Sequence, residues 1–124
     1  MTPKPAKLTE LQIASIIKSI PNPSIKQFVK FIANHPDSTT AKVLGQTGIN
    51  DIVEANHIVA EPLFKKGYFL CYQLTGNQSN LKEHWRIAKI PDHAKHCQSA
   101  DELSNYVNQL GQVLNANQEL RGEA

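Results

Sequence analysis

Cysteine is scarce in this chain. Its 124 residues include Cys71 and Cys97 and no others, which is no CxxC pair and no disulfide framework. That usage fits a reducing compartment, and the expectation is a cytoplasmic protein. Long apolar runs are missing: none reaches the roughly 18 residues that a bilayer span requires, so no membrane partner is expected. Lys4 and Lys7 near the N-terminus are not followed directly by an apolar segment, and the helical pattern behind them carries Glu10 and Lys18, so no signal peptide is expected. There is no phosphate-binding glycine loop, no GxSxG elbow and no clustered carboxylate pair. The chain is therefore read as not an enzyme. A strong charge of either sign is also lacking, the formal net charge being +2. The charge is uneven, however. Residues 98–124 hold Arg121 against Asp101, Glu102, Glu119 and Glu123, which leaves the basic excess on residues 1–97. A mildly basic body with an acidic tail suits a polyanionic partner.

What is present is globular composition, 40% hydrophobic and 19% charged, in a length suited to one domain. Residues 1–7 contain two prolines and read as an arm. Leu8, Leu11, Ile13, Ile16, Ile17 and Ile20 recur at helical spacing, with Thr9 as a cap and Pro21-Asn22-Pro23 as the stop. Ser24 reads as the cap of a second helix, with Ile25, Phe28, Val29, Ile32 and Ala33 on one stripe and His35-Pro36-Asp37 ending it. Ser38-Thr39-Thr40 opens a short helix containing Ala41, Val43 and Leu44. A third helical run starts at Ile49-Asn50 and passes through Ile52, Val53, Ile58, Val59, Leu63 and Phe64. Pro62 inside it predicts a kink or a restart. Beyond Gly67 the period becomes two. Tyr68–Leu74 and Trp85–Ile90 read as a hairpin with a polar tip at Thr75–Asn80. Trp85 is expected to pack the hairpin on the helices with its indole N–H near water. Residues 91–99 read as a linker, and 100–120 as a last helix.

Residues 25–90 follow the order helix, short helix, turn, helix, hairpin. Ser38-Thr39-Thr40-Ala41-Lys42-Val43-Leu44-Gly45-Gln46-Thr47-Gly48-Ile49 looks like a second helix and turn, and Glu61–Phe69 like a third helix running through Gly67 into a wing. In both stretches the chain resembles the winged helix-turn-helix superfamily, although Ile49–Gly67 is slightly longer than usual there. The resemblance implies a mainly α fold with a small antiparallel β-hairpin: a winged-helix domain over residues 8–90 with additional N- and C-terminal helices. It further implies a duplex DNA-binding protein, a dimeric transcriptional regulator of prokaryotic type. Its third helix would enter the major groove and its wing would hold the backbone. Asn50, Asn56 and His57 are then the expected base contacts. Thr39, Thr40, Lys42, Lys82 and Arg86 are the expected backbone contacts. Against this stands the absence of Arg or Lys between Ile49 and Phe64, because cations supply most of the affinity for phosphate. The alternative is a winged-helix protein-interaction module, or an adaptor or inhibitor subunit that does not bind DNA.

In the last helix Leu103, Tyr106, Leu110, Val113, Asn117 and Leu120 alternate spacings of three and four, a heptad seam that predicts homodimerisation together with the first helix. Asp92-His93-Ala94-Lys95-His96-Cys97 gathers metal-type ligands. A zinc site needs three or four at matched spacing, and outside this run only the distant Cys71 or His84 is available. No metal and no cofactor are assigned.

Overall fold

A reciprocal cap starts the first helix: the Thr9 hydroxyl accepts the Gln12 N–H at 3.1 Å and the Gln12 side chain accepts the Thr9 N–H at 2.8 Å. The computed structural model describes residues 4–77, 79–110 and 114–115. In it α1 is Glu10–Ile17, shorter than the apolar pattern, although Ile20 beyond its end is still buried. Asn22 rather than Ser24 caps α2 (Pro23–Asn34). The Asn22 side-chain oxygen, Oδ1, accepts the N–H groups of Ser24 and Ile25, and Pro23 fills the first helical position, where a missing N–H costs nothing.

Ser38–Thr39 forms a short strand, β1, rather than the opening of a helix. Thr39 then caps α3 (Thr40–Thr47). Gly48 ends α3 at φ 75°, the left-handed conformation that glycine adopts without penalty, and its N–H reaches the Leu44 carbonyl at 3.0 Å. Asp51 caps α4, which runs from Ile52 to Lys65 without a restart at Pro62. The hairpin follows as β2 (Tyr68–Thr75) and β3 (Lys82–Lys89), with Leu70 opposite Ile87 and Tyr72 opposite Trp85. Its tip depends on Gly76. A Cβ there would lie 2.0 Å from the Asn80 carbonyl oxygen.

β1 pairs antiparallel with β3, Ser38 opposite Trp85 and Thr39 opposite His84. The sheet order is therefore β1-β3-β2, and Leu114–Asn115 (β4) adds a short rung on the free edge of β2. A 3₁₀ turn at Asp92–Ala94 leads to α5 (Ala100–Leu110). The fold is thus a small α/β arrangement of five helices and one antiparallel sheet among the described residues. None of the described helices is long and apolar enough to cross a membrane.

Side chains alternate across a strand, so the hairpin has two faces to cover. Tyr68, Leu70, Tyr72, Trp85 and Ile87 join the main core with α1, α2, α3 and α4, around Phe28, Ile32, Val43 and Val59. Phe69, Cys71 and Ala88 face the other way, into a second core with Ala94, Cys97, Leu103 and Val107. The 91–99 segment, expected as a linker, thus sends Ala94 and Cys97 inward. The α5 stripe expected to form a dimer seam is corrected at Leu103. That side chain is 2% exposed within its own chain, and Tyr106 is half-buried. A residue already dry in the single chain has no surface left for a second copy. Leu110, Val113, Asn117 and Leu120 lie outside the residues whose side chains are described.

Leu103→Ala should lower stability by about 2–5 kcal/mol in urea denaturation, because it opens a cavity beneath the sheet. Leu11→Ala, at a position 84% exposed, should change it by no more than about 0.5 kcal/mol. Equal small effects would mean that α5 does not pack on the sheet.

Candidate nucleic-acid interface

The expected contact residues do not share one fate. Asn50 is exposed in the turn before α4, and His57 is exposed on α4. Asn56 is corrected: it is 3% exposed, on the inward stripe with Ile52, Ala55, Val59 and Leu63. It lines a cavity of about 20 Å³ between α4, β2 and α5, with Phe64, Phe69, Leu103 and Ser104. Such a space holds about one water and no base.

Thr40 is also corrected as a backbone contact. Its hydroxyl accepts the Trp85 indole N–H at 2.7 Å and donates to the Glu83 carboxylate at 2.8 Å, so the one proton it could give a phosphate is spent inside the molecule. The Trp85 N–H is accordingly satisfied by a side chain and not by water. Thr39 is half-buried, and its hydroxyl accepts the Lys42 N–H at 3.4 Å.

Arg86 is the third correction. It is 9% exposed and forms an ion pair with Asp37, its Nε donating to the carboxylate at 2.8 Å and its other end to the Gln73 side-chain oxygen at 3.1 Å. Asp37 takes a left-handed φ of 69°, which few non-glycine residues adopt, Asp and Asn among the most willing. Its N–H donates to the Trp85 carbonyl at 2.7 Å, and its carbonyl meets His84 Nδ1 at 3.0 Å. The other ring nitrogen of His84 meets the Thr75 hydroxyl at 2.8 Å. Arg86 and His84 together stitch the Asp37 turn to the sheet. Asp37 carried one signal in the sequence, an Asp in a Pro-containing turn, but its partner is 49 residues away. Opposite Arg86 in register lies Cys71. Burial pushes its thiol up to about 12, against the lowering effect of the nearby guanidinium. The thiol therefore stays protonated and inert.

What remains available is Lys42, Lys82, Asn50 and His57, all exposed. The Thr40–Glu83 hydrogen bond joins the start of α3 to β3. Lys42 is two residues after Thr40 and Lys82 is one before Glu83, so both ammonium groups project from neighbouring pieces of chain. The N-terminus of α4 is filled by its own carboxylates. Asp51 accepts the Val53 N–H at 2.9 Å and the Glu54 N–H at 3.4 Å, and Glu54 adds a second negative charge in the first turn. The positive end of the helix dipole is therefore already answered and does not invite a phosphate. Farther along, the outward face shows Val53, His57 and Ile58, with Val53 and Ile58 more than a third exposed. Lys66, Lys89 and Lys95 gather at the other end of α4, around a groove of about 440 Å³ floored by Phe64, Tyr68 and Ile90.

Comparison with protein families, with curated proteins and with solved structures gives no match to this chain.

Arg86→Ala should cost about 1–3 kcal/mol in denaturant titration, since it strands the half-exposed Asp37 carboxylate and the Gln73 amide. Asp37→Asn, which tolerates the same backbone, should cost less. Unchanged stability for Arg86→Ala, with weakened polyanion binding, would return Arg86 to the surface role.

Proposed function

We propose that the chain is a winged-helix protein that binds duplex DNA, with α3, the Gly48 turn and α4 as the helix-turn-helix and β2–β3 as the wing. The observation that carries this reading is the chain order α2-β1-α3-α4-β2-β3 together with the sheet order β1-β3-β2. That arrangement ties the start of α3 to the hairpin and leaves one side of α4 outside the main core. In this reading Lys42 and Lys82 contact phosphates, with Thr39 beside them, while Asn50 and His57 face base edges. Arg86, Thr40 and Asn56 act by holding the frame. With few cations and an acidic start to α4, affinity is modest and weakens with salt. The protein acts as a dimer or with a second DNA-binding partner, because one such module covers only a half-site.

A second reading has its own support. Val53 and Ile58 are apolar and exposed on α4, beside Glu54 and His57. A face of this kind suits a protein partner better than a phosphate backbone.

Fluorescence anisotropy against random-sequence duplex at low and physiological salt tests the choice. Binding at low salt that weakens as salt rises, with a log–log slope of about −2 for the two lysines, is the expected result. Lys42→Ala and Lys82→Ala should each make the log–log salt slope shallower by about 1, whatever the sequence, while His57→Ala should change preference between sequences. No binding at low salt would discard the DNA reading and leave the Val53–Ile58 face as a protein-docking surface.

A further inference from the structure

Beyond the hairpin the chain assembles a group of side chains that the DNA reading does not use. His96 and Cys97 follow the 3₁₀ turn, and Glu102 lies in the first turn of α5. One ligand atom from each of the three, an imidazole nitrogen, the thiol sulfur and a carboxylate oxygen, lie within 4.8 Å of one another. The Cys97 Sγ and His96 Nε2 atoms are 3.9 Å apart. A tetrahedral ion with bonds of about 2.3 Å to sulfur and about 2.0 Å to nitrogen or oxygen would hold such atoms roughly 3.5 Å apart. The donor–donor separations therefore exceed that spacing by about 0.4 Å for the Cys97–His96 pair and by no more than about 1.3 Å for any pair. His96 and Glu102 are exposed, so their side chains have room to move that far.

We propose that His96, Cys97 and Glu102 form a site for a thiophilic divalent transition metal such as Zn(II), with three protein ligands and one position open to water. The donor types decide the class of ion. A thiolate with an imidazole selects Zn(II) and its neighbours over Mg(II) or Ca(II), which prefer oxygen alone. Surrounding contacts orient the donors. The Gln98 N–H donates to the Glu102 carboxylate at 3.3 Å. The Ser99 hydroxyl accepts the Glu102 N–H at 3.1 Å, which fixes the start of α5. The His96 ring stands edge-on to Tyr106 with centroids 4.6 Å apart. Cys97 is 6% exposed and anchored in the second core, so the sulfur is the fixed corner of the site.

Without an ion the thiol keeps its proton, because burial, and then the neighbouring Glu102 carboxylate, raise it above the ordinary value. Binding forms the sulfur–metal bond and releases that proton to solvent, with no change of oxidation state. Lys66, Lys89 and Lys95 share a groove wall with Cys97 and oppose a cation. The Glu102 carboxylate offsets part of that field, so losing its charge should weaken binding strongly. A bound ion would tie the first turn of α5 to the segment that follows the hairpin, and so secure α5 on the sheet.

The test is titration of chelator-treated, reduced protein with Co(II). The expected result is a near-ultraviolet thiolate-to-cobalt charge-transfer band with intense visible bands, saturating at one ion per chain and abolished by Zn(II). Cys97→Ser should remove the charge-transfer band. His96→Gln and Glu102→Gln should each weaken binding at least about tenfold, as loss of even an outer-shell partner commonly does. His93→Gln, outside the group of three, should leave it unchanged. Zn(II) should raise the melting temperature of the wild type, and that of Glu102→Gln by less at the same ion concentration. Absence of the charge-transfer band in the wild type, or a band that survives Cys97→Ser, overturns the proposal. Should Cys97→Ser fail to fold, the two variants at exposed positions decide it, and indifference to both overturns it equally.

Discussion

The β2–β3 hairpin is apolar on both faces, and everything else in the molecule answers to that. A ribbon of two strands has little stability of its own, and one dry face already needs a partner layer. Here the run Tyr68–Tyr72 is buried at every position. Alternation sends three of its side chains toward α1–α4 and two toward α5. The four-helix side alone would leave Phe69, Cys71 and Ala88 in water. The segment from Ala94 to Val107 is therefore part of the fold and not an appendage to it. Among the described seam positions, Leu103 is consumed at home and Tyr106 is half-buried there.

The same alternation places Arg86 on the second face, between Trp85 and Ile87 on the first. A guanidinium so nearly covered persists only if its donors are met, and Asp37 and Gln73 meet them. Asp37 can do so because its turn adopts a left-handed backbone, a conformation that costs of order 1–3 kcal/mol unless its surroundings hold it. The Trp85 carbonyl and the His84 ring hold it. The consequence for function is subtraction. The one arginine in the hairpin and the hydroxyl of Thr40 belong to the scaffold, so among the described residues the side chains still exposed to pair with a phosphate include lysines, which act as point charges rather than bidentate forks.

The order and kind of the elements were legible because each rests on local periodicity: three helical stripes, a change of period at Gly67, and a polar tip. Asn56 was legible too, since positions 52, 55, 56, 59 and 63 form one helical stripe and an Asn among them points inward. Reading Asn as a base-contacting residue overrode the spacing. β1 was not legible. Two residues carry no period, and their strand character comes from pairing with Trp85 and His84, more than forty positions on. Arg86 was misplaced for a related reason. In a hairpin with one wet face it would be a surface cation, and only the α5 layer, distant in sequence, makes that face dry. Glu102 entered the sequence reading only among the acidic charges of residues 98–124. Its approach to Cys97 follows from the start of α5, where Ser99 caps the helix and the Glu102 carboxylate turns back to the Gln98 N–H; the Ser99-x-x-Glu102 spacing is the signal that could have found it.

The start of α5 also bears on what α4 can offer. The Glu61 carboxylate accepts the Ala100 N–H at 2.8 Å, satisfying one of the free donors at the start of α5. Glu61 lies one turn beyond His57 and Ile58, so α5 meets α4 there, although Glu61 and Lys65 stay exposed. The stretch ahead of that contact, Asp51 to Ile58, is two turns or about 12 Å of helix. Two turns are enough for the few side chains that reach base edges when a helix enters a groove by its N-terminal end. The same two turns also span the i to i+7 spacing over which a helix anchors in a protein groove, and Val53 and Ile58 are the exposed apolar side chains there, so a duplex and a protein partner would compete for one face of α4.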